Sequence, residues 1–407
     1  MPTTTAEPLT SRATSPTAAP GRPRVLHVGK YYPPVPGGME RVLQLLCEHE
    51  RPTVDSRVLV ASSGRTTTRE VRNGVPVTRA GSLATVGSVA LSAALPPELG
   101  RMDADVTVIH EPNPMALAAD FLTARRGPLV VYFHSEVVRP RWKYRYVYRP
   151  MLARVLDRAS RIIVASPAMA ATAAQLVDHR DKCVVIPYGI DTATFERTAA
   201  VESRARALRG PGAEPILLFV GRLVPYKGVD VLVRAMVDTP GRLIVAGEGP
   251  LLPELRQAAE ALGLGERVRF PGAVPDADLV ALYHACDMFV LPSVTRAEAF
   301  GMVQIEAMAC GKPVVSTNLP SGVPWVNQHM HSGLVVEPGD VGALQSAIRA
   351  LVTDHGLREQ LGRGALRRVQ AEFTARRMAD RTIALYEEVL TETGRHGTAQ
   401  ALRSRAV

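Results

Sequence analysis

The stretch Ser293 to Pro313, S-V-T-R-A-E-A-F-G-M-V-Q-I-E-A-M-A-C-G-K-P, decides how the chain is read. The apolar run Met288-Phe289-Val290-Leu291 precedes it and has the composition of a buried strand. Pro292 and Ser293 break that run. From Gly301 the residues are helix formers, with Val303, Ala307 and Cys310, or Ile305 and Met308, at helical spacing. Gly311 follows as a C-cap, and Pro313 opens the next apolar run, Val314-Val315. The order is strand, loop, helix, glycine stop, strand.

The chemistry sits where the loop meets the helix. Phe300, Gly301, Met302 and Val303 form the helix opening, where backbone N–H groups are free to bind an anion and the missing glycine side chain admits a ligand. Glu298 lies in the loop and can accept hydrogen bonds from a polyhydroxylated ligand. Glu306 lies a turn or more into the helix, where a carboxylate can bridge the two hydroxyls of a ribose. Spacing alone fits one loop glutamate and one solvated helix glutamate equally well.

The whole string from Glu298 to Thr317, E-A-F-G-M-V-Q-I-E-A-M-A-C-G-K-P-V-V-S-T, is far more specific. It resembles the donor-site motif of retaining GT-B glycosyltransferases of family 4, a group of mannosyl-, glucosyl- and N-acetylglucosaminyltransferases. The resemblance runs from about Arg24 to about Leu390.

Bulk properties agree with that size and chemistry. A chain of 407 residues suits two domains of ordinary size, and 46% hydrophobic residues suffice for large cores. Lys plus Arg less Asp plus Glu gives 48 − 39 = +9. That favours anionic partners such as nucleotides, phospholipid surfaces or nucleic acid, although an Arg-rich composition without functional meaning fits as well. Cys47, Cys183, Cys286 and Cys310 are scattered with no C-x-x-C pair, which argues against disulfides or a metal site and for a reducing compartment. No apolar run approaches the roughly 18 residues of a membrane span. Val86 to Leu95 comes nearest and ends at Pro96-Pro97. The first residues, M-P-T-T-T-A-E, lack a signal-peptide pattern, so a cytoplasmic protein, peripheral at most to the inner face of the membrane, is expected.

Residues 1–23 are rich in Thr, Ala, Pro and Ser and read as a disordered tail. A strand Arg24–Gly29 is followed by the loop containing Gly37-Gly38 and by a helix from Met39 to Glu48. A Gly-Gly pair between strand and helix offers N–H groups to a phosphate or sugar, or is simply a tight turn. Further strands at Arg57–Ala61, Val75–Arg79, Val106–His110 and Leu129–His134 alternate with helical stretches, the pattern of a doubly wound parallel sheet. His110-Glu111-Pro-Asn113 and His134-Ser135-Glu136 stand at two strand ends, where such sheets bind ligands. Arg139 to Arg149 holds five basic and four aromatic residues and would suit an anionic membrane, single-stranded nucleic acid, or packing on the sheet. Residues Thr192 to Glu214 lack a clean period. Alternation then restarts with the strand Ile216–Val220, the loop Gly221-Arg222-Leu-Val-Pro-Tyr-Lys227-Gly228 and a helix. Two cations beside a helix start suit a diphosphate leaving group. Gly247-Glu-Gly249 is no dinucleotide fingerprint. Asp103-Ala-Asp105 imitates a metal motif at the wrong end of its strand, so no metal is expected.

The resemblance implies two Rossmann-like domains facing across a cleft, with a C-terminal helix crossing back to the first. The first would span 24–205 and the second 206–372, with the crossing helix at 373–392 and a polar tail at 393–407. It implies retaining transfer of a hexose from a nucleotide-sugar to a hydroxyl of a glycan or lipid-linked acceptor, with no cofactor. Arg222 and Lys227 would clamp the diphosphate, Glu298 would orient the sugar, Glu306 would hold the ribose, and backbone near Val274 would meet the base. Gly37 and Gly38 would face the sugar and diphosphate, His134 the reaction centre, and Glu111 and Asn113 the acceptor. A loop at Asn318–Pro324 would lie near the sugar. The resemblance is strongest to bacterial polysaccharide and lipid-glycan enzymes, so GDP-mannose is the first expectation, ahead of UDP-glucose and UDP-N-acetylglucosamine. The competing readings are a nucleotide-sugar epimerase or hydrolase of this fold, a non-catalytic nucleotide-sugar-binding protein, and a nucleic-acid binder suggested by charge alone.

Overall fold

The computed structural model describes residues 21–87, 89–123, 125–136 and 144–406, the side chains of 144, 145 and 404–406 excepted. Most of the expected N-terminal tail and residues 139–143 of the basic aromatic stretch lie outside the described residues.

The apolar runs form two parallel sheets. The first has eight strands in the order Cys183–Val185, Arg161–Val164, Leu129–Phe133, Val106–Glu111, Arg24–Val28, Asp55–Ala61, Val75–Ala80 and Thr68–Arg72. Only its edge strand Thr68–Arg72 runs antiparallel to its neighbour. The second sheet has six strands, all parallel: Val268–Gly272, Arg242–Ala246, Ile216–Val220, Met288–Leu291, Val314–Thr317 and Gly333–Val336. Inner strands such as Leu129–Phe133 and Ile216–Val220 are buried throughout, as strands covered on both faces must be. This is the expected GT-B architecture.

Four segments differ from the sequence reading. The edge strand Thr68–Arg72 and the small hairpin Ala84–Val86/Val89–Leu91 carry mostly exposed side chains, so no apolar alternation marks them. The helix Ala199–Arg209 stands where no period was visible, because Ala205 is its one buried residue. It packs against the helix Asp276–Ala285 of the second half. The end of the chain is not loose: the helix His396–Ala406 seats Ala399 and Leu402 in the core, against the helix Ala375–Glu392.

The helix Ala375–Glu392 returns to the first half and packs on the helix Gly38–Glu50. Arg161 on the first sheet pairs with its Glu388 at 2.6 Å and with Glu392. At the crossing, Ile190 N donates to Phe373 O at 2.9 Å, and Ala375 N donates to Ile190 O at 2.8 Å. One apolar cluster therefore runs from Val25 and Val108 through Tyr188, Phe300 and Phe373 to Tyr386 and Leu390.

Gly189 permits that contact. A Cβ there would lie 2.6 Å from Ala375 N and closer still to the Thr374 carbonyl, both backbone atoms that cannot swing aside. Gly189→Ala is expected to cost about 3 kcal/mol, the upper part of the range for a single substitution, and to lower the melting temperature in a thermal unfolding scan. Gly397→Ala, which meets open space, should leave it unchanged.

Candidate functional site

In the second sheet the strand order reverses between Ile216–Val220 and Met288–Leu291. Crossovers there leave toward opposite faces and open a crevice at the carboxyl ends, where open α/β sheets bind ligands. The loops that follow these two strands carry most of the expected site.

Backbone contacts fix the first loop. Gly221 N donates to Ala246 O at 3.0 Å, and Leu223 N donates to Glu248 O at 2.8 Å. Side chains at Gly247 and Gly249 would strike the backbone of Gly221 and Leu223, so this glycine pair is a seat for the cationic loop. Gly228 has φ 62°, a left-handed conformation natural to glycine, and rests on the Pro292 carbonyl. Val294 N donates to Tyr226 O at 2.8 Å. The two loops are thereby joined, and Lys227 Nζ meets Glu298 Oε2 at 2.5 Å. Ser293 Oγ donates to the same oxygen at 3.1 Å. Lys227 and Glu298 are buried, each 8% exposed. Arg222 is exposed at the mouth, and its guanidinium takes no hydrogen bond or ion pair among the described residues.

Gly301, with φ 75°, starts the helix Met302–Ala309. A Cβ there would come within 2.7 Å of Leu291 Cδ2. Gln304 Nε2 donates back to Phe300 O at 2.7 Å and steadies the opening turn. Met302 and Val303 are half-buried beneath it. Glu306 accepts a hydrogen bond from Tyr283 Oη at 2.7 Å. Burial lifts the Glu306 carboxyl above its ordinary pKa, against the Tyr283 bond and the positive charge of Arg41 from the first half. Val274, half-buried, follows the strand Val268–Gly272 and packs on the central apolar cluster.

In the first half, Gly37 and Gly38 open the helix Gly38–Glu50. A Cβ at Gly37 would strike the Glu40 carboxylate, which folds back over the turn, whereas Gly38 faces open space. Burial raises the Glu40 pKa and lowers that of Lys30, while their opposite charges resist both shifts.

His134 is held inside the first half. Nδ1 meets Tyr188 Oη at 2.8 Å, and Nε2 meets His110 Nδ1 at 2.9 Å. Neither ring nitrogen is free for a ligand while these bonds stand. Burial keeps the imidazole neutral, with its pKa pushed down to about 3. Glu111 is fully buried. Its Oε2 accepts from Asn113 N at 2.9 Å and from Tyr148 Oη at 2.6 Å, but its Oε1 has no partner among the described residues. Asn113 Nδ2 is likewise unpartnered. Tyr148, part of the basic aromatic stretch, is thus spent inside the fold, whereas Tyr146 is exposed.

The two halves meet beside the loop that carries Glu298. Arg296 pairs with Glu136 at 3.3 Å, and a small pocket there is lined by Ser135, Met169, Ala299 and Ser321. Tyr188 stands edge-on to Phe300, with ring centroids 4.9 Å apart. Ser293, Tyr283, Arg41, Arg296 and Tyr188 were not singled out from sequence. Ser293 and Arg296 lie inside the quoted stretch Ser293 to Pro313, but spacing alone does not assign them partners.

Asp105 is committed to structure: Arg24 donates to it from N at 2.8 Å, and Arg395 pairs with it at 3.4 Å. Burial opposes the charge of its carboxylate, yet the Arg24 bonds outweigh burial and lower its pKa. One group among the described residues, His27, Cys47 and Glu50, brings ligand-type atoms within 4.8 Å of one another. Its His27–Glu50 separation of 2.6 Å is that of a hydrogen bond.

Two Rossmann-like halves, each built on a largely parallel sheet covered by helices, define the GT-B fold. The family model "Glycosyltransferase Family 4" matches residues 36–194, and "Glycosyl transferases group 1" matches residues 202–368. The chain belongs to the family 4 glycosyltransferases. It is 35% identical to the D-rhamnosyltransferase WbpZ of Pseudomonas aeruginosa, over 86% of this chain and 92% of that one. It is 29% identical to O-antigen chain mannosyltransferase C of Escherichia coli, over 90% and 99%. It is 31% identical to a GDP-mannose-dependent α-(1-6)-phosphatidylinositol monomannoside mannosyltransferase of Mycolicibacterium smegmatis, over 63% and 69%. In fold it is similar to Anabaena HepE, solved in complex with UDP, with a TM-score of 0.72, 23% identity and coverage of 91% and 100%.

Glu111 makes a measurable prediction. Burial raises its folded pKa from 4.5 to about 7. The folded state then binds the proton more tightly than the unfolded chain, so stability is full below pH 4.5 and falls as pH rises toward about 7. The loss amounts to about 3 kcal/mol. Glu111→Gln should therefore be more stable than wild type at pH 8, with the gap closing at pH 5 in parallel urea titrations.

Proposed function

We propose that the protein is a retaining mannosyltransferase that moves mannose from GDP-mannose to a hydroxyl of a growing glycan or lipid-linked glycan. The observation that carries this reading is the Lys227–Glu298 pair at the switch point, with the unpartnered Arg222 at its mouth. The names of two bacterial relatives support mannose and a glycan or lipid-linked acceptor, whereas the 35% identical relative is named for D-rhamnose.

Arg222 and Lys227 take the donor diphosphate. The Lys227 ammonium has three donors and can keep Glu298 while reaching a phosphate oxygen. The N–H groups at Gly301, Met302 and Val303 add a helix-end field to the same charge. Glu298, anchored by Lys227 and Ser293, accepts from the sugar hydroxyls. Glu306 holds the ribose, and the backbone at Val274 meets the base. Gly37 and Gly38 close on the sugar from the first half.

In the reaction the bond from sugar C1 to the phosphate oxygen breaks, and a bond from C1 to the acceptor oxygen forms on the same face. The leaving diphosphate takes the acceptor proton. Charge developing on it is stabilised by fixed cations, a large term in group transfer. Neither a metal nor a carboxylate base has an assigned step. Glu111 Oε1 and Asn113 Nδ2, buried and unpartnered, are the acceptor-side groups. No helix among the described residues is long and apolar enough to cross a membrane. The basic composition of the stretch 139–149, Tyr148 apart, would suit anionic headgroups around a lipid-linked acceptor.

The test is nucleoside diphosphate release from a panel of nucleotide-sugars, with and without membrane extract. Release from GDP-mannose, boosted by extract and reduced by about 100-fold or more in Glu298→Ala and Arg222→Ala, is expected. Extract-independent release would point to an epimerase or hydrolase. Tight binding of one donor without release would overturn the transferase reading. Anomeric configuration of the product by NMR decides retention.

A further inference from the structure

A row of polar groups runs through the core of the first half and ends at the donor loop. Glu50 Oε1 meets His27 Nε2 at 2.6 Å, His27 Nδ1 meets His110 Nε2 at 3.1 Å, and His110 Nδ1 meets His134 Nε2 at 2.9 Å. His134 Nδ1 then meets Tyr188 Oη at 2.8 Å, and the Tyr188 ring stands against Phe300, the residue before Gly301. The row is sealed: Glu50 and His27 are 0% exposed and His134 is 4% exposed. His27 and His110 sit on neighbouring strands at the switch point of the first sheet.

Two directions of donation satisfy every nitrogen in the row, and the bonds that Glu50 makes select between them. A neutral imidazole has one donor and one acceptor, and every ring nitrogen in the row is used. Glu50 Oε1 accepts from Ser56 Oγ at 2.7 Å as well, as a carboxylate oxygen does. With an acceptor at that end, His27 Nε2–H donates to Glu50, His110 Nε2–H to His27 and His134 Nε2–H to His110. Tyr188 O–H must then donate to His134 Nδ1. A protonated Glu50 would reverse every bond.

We propose that Glu50, His27 and His110 are positioning residues of the donor site: they fix His134 with its proton on Nε2, and Tyr188 is thereby held against Phe300 at the start of the donor helix. Three buried imidazoles and a carboxylate are a costly way to fill a core that aliphatic side chains would fill more cheaply. They suit a place where direction, and not only volume, is specified. Tyr132 stacks on His134 at 4.6 Å with the rings 4° from parallel, which confines the ring to that plane. Cys47 lies beside Glu50, and Tyr386 of the crossing helix faces the same carboxylate.

The kinetic arm of the test rests on the transferase reading, while the spectroscopic arm does not. Protein labelled with 15N-histidine is examined at pH 7.5 by long-range proton–nitrogen NMR. His27, His110 and His134 are each expected as the neutral Nε2–H tautomer. An Nδ1–H tautomer or an imidazolium at any of the three overturns the proposal. Tyr188→Phe, His110→Phe and the double variant are then assayed with GDP-mannose. Each single variant should raise the donor KM about tenfold, with kcat and the acceptor KM changing less than about twofold, and the double should be no worse than either single. Multiplying effects in the double, or an equal rise in both KM values, overturns it. If wild type turns over no donor, the transferase reading has failed, and the tautomers alone decide the proposal.

Discussion

The buried ion pair between Lys227 and Glu298 ties together the loops of two adjacent strands, and the crevice at the switch point is built around it. Its geometry is set by backbone. A left-handed glycine at 228 lets one loop lie on the Pro292 carbonyl, and the amide of Val294 closes the contact. A buried pair of this kind is weak evidence for stability, because desolvation offsets much of the attraction. Its consequence is fixed position. Removing one partner leaves the other charge buried and alone, so the two residues stand or fall as a unit.

The first half meets this platform through aromatic rings more than through charge. Tyr188, Phe300, Trp325 and Phe373 form a ladder of edge-on and tilted contacts from the end of the first sheet to the foot of the crossing helix. The Arg368 guanidinium lies over both Trp325 and Phe373. Such rings are large and have few rotamers, so they transmit position well. The one charged contact nearby, Arg296 with Glu136, is partly exposed and contributes more to register than to stability.

The architecture was legible because the inner strands of both sheets are parallel and covered on both faces. Strands such as Met288–Leu291 and Val314–Thr317 then read as unbroken apolar runs, and their glycine and proline borders mark the loops that carry chemistry. Elements with one-sided or absent burial were lost, as with Thr68–Arg72 and the helix Ala199–Arg209. At the site, the positions of Glu298, Arg222 and Lys227 followed from motif and resemblance, but the pairing of Glu298 with Lys227 across 71 residues did not. His134 shows the limit most clearly. Its place at a strand end was readable, whereas the bonds occupying both its nitrogens come from residues 54 and 24 positions away. Pairings at such separations are set by strand order, which local pattern does not contain.

The chain passes between the halves twice, and the two passages lie side by side, joined by the backbone pairing of Ile190 with residues 373 and 375. Two adjacent tethers constrain a pair of bodies as a door hinge does, leaving one easy axis of rotation. Parts near the axis sweep short arcs, and parts far from it sweep long ones. Tyr188 is two residues from the tether and keeps its neighbours through such a swing. Glycines 37 and 38, separated from it by the breadth of several strands, would travel further than Tyr188 in such a swing. A rotation about that axis would open the two halves most at the rim and least beside Tyr188 and Phe300.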